Sequence, residues 1–531
     1  MPRRPSARGG FEDATQSGAL TMPTVQPPID LGSWIVRRAA INPHRPALTF
    51  AGRTRTFGEF ADEIDRLAAA LEAGGVRPGD RVGYAGANHP AFLITLFACS
   101  RVGAIFVPLN FRLSAAELAY IIGDAGAGTL IADAALAATI DSVRGQIEVS
   151  RFIALDRVDD WESYDEVLAA AQPIARPRHP GAEDVAVIMY TSGTTGRPKG
   201  AMLTHGNLFW NNVNSLLSFD TQSTDVSLVC APLFHIGGLN VTTLVTLQKG
   251  GHVVLMPAFD PQQALRHIAE DRITTMFGVP AMFLFMAQTP GFDDADMSSL
   301  RFLICGGAPV PEPLMRRYGE RGVVFAQGYG LTETAPLALV MGIDESADRI
   351  GAAGHHVLPL SDVCLMDASG EQVGPGGRGE VCVRGPQVMA GYWQNDSATA
   401  AAIDADGWFH TGDVGQMDDD GYVYVVDRVK DMVITGGENV YPAEVESVLY
   451  SHPAIAEVAV LGLPDDKWGE AVTAVVALAP GAALTLDDLR EFARDRLAGY
   501  KLPLRLEFVE ALPRNASGKV LKFQLRDQLN S

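Results

Sequence analysis

Short, almost uninterrupted apolar runs recur through the first 310 residues, and helical segments separate them. The runs read "IFVPLN", "GTLIAD", "VAVIMY", "HVVLM", "TTMFGVP" and "RFLICGG". A strand with one wet face alternates apolar and polar residues. Strands with no polar side belong in a parallel sheet covered on both faces. Between them, "EFADEIDRLAAALEAG" places Phe60, Ile64, Leu67, Ala68 and Leu71 on one helical face, and Gly74-Gly75 stops the helix. "AFLITLFACSRVGA" reads as a helix buried all round, and "DRVGYAG" as a strand and turn. The expected fold class is therefore α/β, with a large N-terminal domain of parallel α/β sheets.

The texture changes after about residue 350. "DVCLMDASGEQVGPGGRGEVCVRG" reads as two strands joined by a Gly/Pro-rich turn, and "GWFHTGDVGQMDDDGYVYVVDR" repeats the style. These predict a β-rich subdomain attached to the α/β core. From Val429 the pattern becomes α+β. "PAEVESVLYSH" is a helix with Pro442 near its first position, and "IAEVAVLGL" and "AVTAVVAL" are strands. "TLDDLREFARDRLAGY" is a helix capped by Thr485 or Asp487, and "RLEFVEAL" is a last strand. The expected divisions are a disordered tail over 1–27, an N-terminal domain over 28–428 and a small mobile α+β domain over 429–531. The chain has 531 residues, more than one compact core uses.

Net charge is −21, which argues against a general nucleic-acid or anionic-membrane surface. The tail is rich in Pro, Gly, Ser and charge, and it lacks the apolar stretch of a secretory signal. The most apolar region, near 91–109, is interrupted by Ser100, Arg101 and Gly103, so no membrane span is expected. The five cysteines, Cys99, Cys230, Cys305, Cys364 and Cys382, contain no CxxC pair. Their spacing suggests neither a disulfide framework nor a zinc site, and reduced thiols of a cytoplasmic protein are expected.

The stretch "YTSGTTGRPKG" (190–200) directly follows the strand "VAVIMY". Gly193 and Gly196 allow close backbone approach to a ligand, the hydroxyls of Thr191, Ser192, Thr194 and Thr195 can donate, and Lys199 adds charge. Arg197-Pro198 separates Gly196 from Lys199, and Gly200 follows the lysine, which rules out a Walker-type loop. A phosphate loop and a surface turn both remain open on these residues alone.

The wider wording is more specific. "YTSGTTGRPKGAMLTH", "APLFHIGGLN", "GGAPVP", "QGYGLTETAP", "GWFHTGDVG", "VDRVKDMVITGGENVYPAEVE" and "LPRNASGKVLK" follow one another in order. From about Leu31 to the end, the chain resembles the adenylate-forming superfamily. That superfamily includes acyl-CoA synthetases, luciferase-type enzymes and amino-acid-activating domains. The wording is similar to fatty-acid–CoA ligases and feruloyl-type CoA ligases alike. The resemblance implies an acid–thiol ligase that joins a fatty or aryl carboxylic acid to AMP, releases pyrophosphate, and passes the acyl group to coenzyme A. ATP, Mg²⁺ and coenzyme A are the implied small molecules. A homodimer is allowed, and no nucleic-acid partner is expected. Two alternatives stand beside it: an acyl-AMP ligase that loads a carrier-protein thiol, and a non-catalytic adenylate-binding protein. A luciferase-like oxidase is a more distant third.

The residues it implies are as follows. Thr191, Ser192, Gly193, Thr194, Thr195 and Lys199 would hold the β- and γ-phosphates. Glu333 would be the Mg²⁺-associated carboxylate, Thr332 the α-phosphate contact and Tyr329 the aromatic stacked on adenine. Gly306, Gly307 and Ala308 would pass beside adenine and the acyl group. Asp413 would accept from the ribose hydroxyls, an acceptor-only group suiting a diol, with Arg428 assisting. Lys519 would be the catalytic lysine, its charge stabilising the adenylation transition state. Lys430 would be the hinge, and Gly436 and Gly437 would line the thiol tunnel. His235 would be the aromatic gate of the acid pocket, with Gly237, Gly238 and Phe277 beside it and Met282, Phe283 and Met286 as further candidate lining. His235 occupies the position where amino-acid-activating relatives carry an Asp, which favours an acid without an α-amine.

Overall fold

A computed structural model describes residues 29–191, 198–307, 310–342, 349, 351–367, 369–428, 431–435, 438–465, 467–514 and 520–529. The expected tail over 1–27 lies outside these residues.

The helix read from apolar spacing spans Phe57–Ala73 and buries Phe57, Phe60, Ile64, Leu67, Ala68 and Leu71. It begins one turn earlier than its apolar stripe. Thr56 accepts from the Glu59 N–H while the Glu59 carboxylate accepts from the Thr56 N–H, satisfying two of the otherwise unpaired groups at the helix start. The second helix, Pro90–Val102, is buried along its entire length and ends at Gly103, whose φ of 73° is left-handed. Phe60 and Phe97 meet edge-to-face at 5.9 Å between the two helices. Both helices share one core with Val82, Tyr84 and Val187 on one sheet and Leu48, Val253 and Leu255 on another. A helix between two sheets has no wet face, which explains the all-round apolar composition.

The first sheet has eight strands among the described residues. Glu162–Ser163, Arg151–Ala154, Ala127–Ala132, Arg81–Ala85, Ile105–Leu109 and Val185–Thr191 run parallel. Lys199–Thr204 folds back antiparallel on Val185–Thr191, and Gly391–Tyr392 adds antiparallel to its edge. The second sheet has fifteen strands among the described residues. Its parallel part contains Pro46–Phe50, His252–Leu255, Val226–Val229, Thr275–Gly278, Phe302–Cys305 and Phe325–Gly330. Leu337–Met341 then pairs antiparallel with Phe325–Gly330. From that hairpin the antiparallel strands Gly354–His355, Tyr422–Arg428, Phe409–Met417, Arg378–Arg384 and Ser361–Met366 continue the same sheet. The β-rich region is thus an extension of the parallel core's own sheet.

Among the described residues a third sheet contains Val433–Thr435, Glu438–Val440, Ile455–Asp465, Gly469–Leu478 and Arg505–Phe508. It has its own core of Val433, Val445, Leu449, Val460, Val472, Val476 and Leu489. Thr485 caps the helix Leu486–Ala493, which stops short of the expected end at Tyr500. Several helices have no counterpart in the sequence reading, among them Leu31–Ile41, Ala115–Ala125, His205–Phe219 and Lys522–Leu529. Among the described residues, no helix is long and apolar enough to cross a membrane. The five cysteines are buried and unpaired.

Candidate active site

The glycine-rich loop closes a hairpin. Thr191 and Lys199 are cross-strand partners, so the intervening residues leave from the end of a strand pair. Ser192, Gly193, Thr194 and Thr195 lie outside the described residues, but both flanks are firmly held. The Tyr190 hydroxyl donates to Asp124 at 2.5 Å, and the Tyr120 hydroxyl donates to the Pro198 carbonyl at 3.4 Å.

Thr332 and Glu333 sit in the short helical turn Thr332–Thr334, inside the hairpin where the second sheet changes from parallel to antiparallel. The turn is pinned from below by buried amides. Asn240 donates to the Ala335 carbonyl at 2.6 Å, and Asn211 accepts from the Leu337 N–H at 3.0 Å. Gly330 permits the tight return: a Cβ there would lie 1.6 Å from the Pro336 carbonyl oxygen. Glu333 is only 7% exposed, and its carboxylate accepts from the Tyr392 hydroxyl at 2.9 Å. Burial, reinforced by the Glu333 charge and hydrogen bond, raises the Tyr392 phenol well above its ordinary value and keeps it a donor. The face of the same ring lies 5.0 Å from the Lys199 ammonium. Tyr392 therefore touches both the lysine of the loop and the candidate metal carboxylate. The sequence reading did not single it out.

Asp413 is buried and accepts from the Tyr329 hydroxyl at 2.7 Å. The two residues expected to hold ribose and adenine are thus in direct contact. Asp413 is the cross-strand partner of Arg428, whose side chain is not described.

Toward the candidate acid pocket, the Phe277 ring fills the space between two glycines. A Cβ on Gly237 would come within 2.8 Å of it and one on Gly306 within 3.4 Å. Gly306 also abuts the Gly328 carbonyl, one residue before Tyr329, so the pocket wall adjoins the adenine side. Gly238 has a different role. A Cβ there would lie 2.3 Å from the Pro232 carbonyl oxygen, so close backbone packing requires this glycine and it frees no pocket space. Phe283 and Met286 are fully buried in a core with Tyr318 and Phe325, whereas Phe277 is only partly buried. His235 precedes the helix Ile236–Asn240. Burial, with Arg112 adding to it, lowers its pKa to about 4, and its Nε2 has no protein hydrogen-bond partner. It is neutral at physiological pH and has one nitrogen free to bond. Gly307 adopts a left-handed φ of 81°. Ala308, Lys430, Gly436, Gly437 and Lys519 lie outside the described residues.

A parallel α/β core, an antiparallel extension and a small third sheet give the fold of adenylate-forming acyl-CoA synthetases. The structure aligns with o-succinylbenzoate CoA synthetase from Bacillus subtilis in complex with the acyl-adenylate intermediate OSB-AMP. The TM-score is 0.84 at 34% identity, covering 95% of this chain and 98% of that one. The AMP-binding enzyme family model matches residues 35–393, and that of the AMP-binding enzyme C-terminal domain matches 444–519. The chain belongs to the AMP-binding enzyme family. It is 50% identical over 497 residues to a feruloyl-CoA synthase of Amycolatopsis sp, covering 93% of this chain and 98% of that protein. It is 42% identical over 501 residues to an indoleacetate–CoA ligase of Aromatoleum aromaticum, covering 94% and 98%.

Proposed function

We propose that the protein is an ATP-dependent carboxylic acid–CoA ligase whose acid carries an aryl group. The observation behind the acid class is the partly buried Phe277 ring between Gly237 and Gly306, a flat wall suited to stacking a second ring. The feruloyl-CoA synthase and indoleacetate–CoA ligase relatives act on aryl acids by name, which supports the same reading.

In the first half-reaction a carboxylate oxygen attacks the α-phosphorus of ATP, and pyrophosphate leaves with the electron pair of the broken P–O bond. In the second, the CoA thiol loses its proton and attacks the acyl carbon, and AMP leaves. Both substrates of the first step are anions, so charge neutralisation and positioning carry most of the acceleration. Lys199 and the loop hydroxyls grip the departing phosphates, Asp413 and Tyr329 hold the nucleoside, and Thr332 contacts the α-phosphate. Lys519 approaches the reacting oxygens. The Glu333 carboxylate is a hard oxygen donor oriented by Tyr392, and it fits Mg²⁺; the ion supplies Lewis-acid neutralisation of the triphosphate when bound. We assign residues 28–428 to the adenylation domain and 429–531 to a lid turning about Lys430. The lid brings in Lys519 for adenylation and Gly436-Gly437 for the thiol. Five unpaired thiols suit a reducing cytoplasm.

The test is a panel of C2 to C18 fatty acids, hydroxycinnamates and indole or phenyl acetates, assayed with ATP and CoA. The reading expects kcat/KM to peak on an aryl acid. A peak on unbranched long-chain acids would overturn the acid class while leaving the ligase chemistry intact.

A further inference from the structure

Three neighbouring strands of the antiparallel extension bring together sulfur, nitrogen and oxygen donors that the sequence keeps apart. Cys364 on Ser361–Met366 lies directly opposite Cys382 on Arg378–Arg384. Cys382 lies opposite His410 on Phe409–Met417. Cross-strand partners share a face, so the three form a row across the sheet. Glu380, two residues from Cys382, points to the same side. The Cys382 sulfur is 3.4 Å from His410 Nδ1, and the same nitrogen is 2.9 Å from Glu380 Oε2. All three donors lie within 4.8 Å of one another.

We propose that Cys382, His410 and Glu380 form a binding site for one thiophilic divalent ion of the Zn²⁺ class.

Donors on a tetrahedral zinc ion sit about 3.3 to 3.6 Å apart, given bonds of about 2.0 Å to nitrogen or oxygen and 2.3 Å to sulfur. The sulfur-to-Nδ1 separation of 3.4 Å already fits, and the 2.9 Å between Nδ1 and Glu380 Oε2 would open by about 0.4 Å. The supporting groups are also in place. His410 Nε2 lies 3.4 Å from Asp404 Oδ2, so the ring can donate from Nε2 and leave Nδ1 as the ligand. A carboxylate on the far nitrogen is the usual partner of a metal-bound histidine. Asp404 is itself fixed, since the Asp406 and Trp408 N–H groups donate to its other oxygen at 2.9 Å each. The Gly412 N–H donates to Glu380 Oε1 at 2.8 Å, which turns Oε2 toward the histidine and the thiol. A mixed S/N/O set of this kind selects zinc or cobalt over magnesium. His410 and Asp404 also line an open cleft of about 500 Å³, together with Met366, Gln372 and Trp408. Each thiol that ligates releases its proton to solvent. Without an ion, the same contacts make a plain ion pair: burial lowers the His410 pKa, but its bonds to Glu380 and Asp404 outweigh that and leave it raised. The site adjoins the nucleotide site in sequence, because Gly412 precedes Asp413.

Cobalt spectroscopy separates the two arrangements. The full chain is stripped with chelator, kept reduced and titrated with Co²⁺. The proposal expects one equivalent to produce a thiolate-to-cobalt charge-transfer band with intense tetrahedral visible bands, both bleached by Zn²⁺. Cys382→Ser should abolish the charge-transfer band while circular dichroism stays native. Asp404→Asn keeps every ligand, and should weaken Co²⁺ binding about 10- to 100-fold. Absence of the band in the native chain, or its persistence in Cys382→Ser, would overturn the site. So would an Asp404→Asn variant that binds as tightly as the native chain.

Discussion

Tyr392→Phe removes one oxygen from the site and leaves the ring. The lost bond is the 2.9 Å donation to Glu333, a carboxylate only 7% exposed, so water cannot readily replace the donor. A hydrogen bond to a charged group contributes about 1.5 to 3 kcal/mol. At 1.4 kcal/mol per decade, adenylation should fall about 10- to 150-fold. The ring's contact with Lys199, 5.0 Å from ammonium to centroid, is untouched in this variant. Tyr392→Leu removes that as well and should cost a further ~0.5 to 2 kcal/mol. ATP–pyrophosphate exchange reads the adenylation step; thioester formation from supplied acyl-AMP reads the second step, which should be spared. The reasoning fails if Tyr392→Phe exchanges pyrophosphate at the native rate, or if both half-reactions lose the same factor.

Three other predictions concern the lid and the pH response. Lys519→Ala should cut acyl-AMP formation by orders of magnitude and spare thioester formation from supplied acyl-AMP; equal damage to both steps would remove Lys519 from its role. Gly437→Trp should block thioester formation and leave pyrophosphate exchange largely intact, and unaltered CoA turnover would refute the tunnel assignment. Burial holds His205 at a pKa of about 4 in the folded chain, and its Nδ1 accepts from the Leu31 N–H at 3.3 Å. Unfolded histidine titrates near 6.5, so between pH 6.5 and 4 the unfolded state binds the extra proton and stability falls as pH falls. The contribution is at most about 3.4 kcal/mol, at ~1.36 kcal/mol per unit. His205→Gln should therefore flatten the drop in melting temperature between pH 7.5 and 5, and an unchanged slope would count against it.

Much of the fold was readable because its signals are local. The helix Phe57–Ala73 has apolar residues at helical spacing, a capping pair and a terminal glycine, all between Thr56 and Gly74. The strands of the parallel core show as apolar runs because both their faces are covered. The helix Lys522–Leu529 buries only Leu525, so it offers no stripe to detect. Sheet continuity was not readable either, because strand pairing is long-range. Nothing local in "DVCLM" or "HTGDV" says that these strands extend the same sheet as "RFLICGG". The site followed the same division. Glu333, Asp413 and Lys199 were legible from motif wording, whereas Tyr392 meets Glu333 across 59 residues of sequence. Asn211 and Asn240, which hold the Glu333 turn, look like ordinary polar residues until their burial is known. Glu380, Cys382 and His410 likewise become a constellation only when two strands align.

The central claim is that an acyl adenylate links ATP cleavage to thioester formation. Mass spectrometry of the products, with an aryl acid and ATP and with or without CoA, tests it most directly. The account predicts enzyme-bound acyl-AMP and pyrophosphate when CoA is absent, and acyl-CoA with one AMP per thioester when it is present. ADP and inorganic phosphate as the nucleotide products, or acyl-CoA formed with no acyl-AMP in the CoA-free reaction, would contradict it.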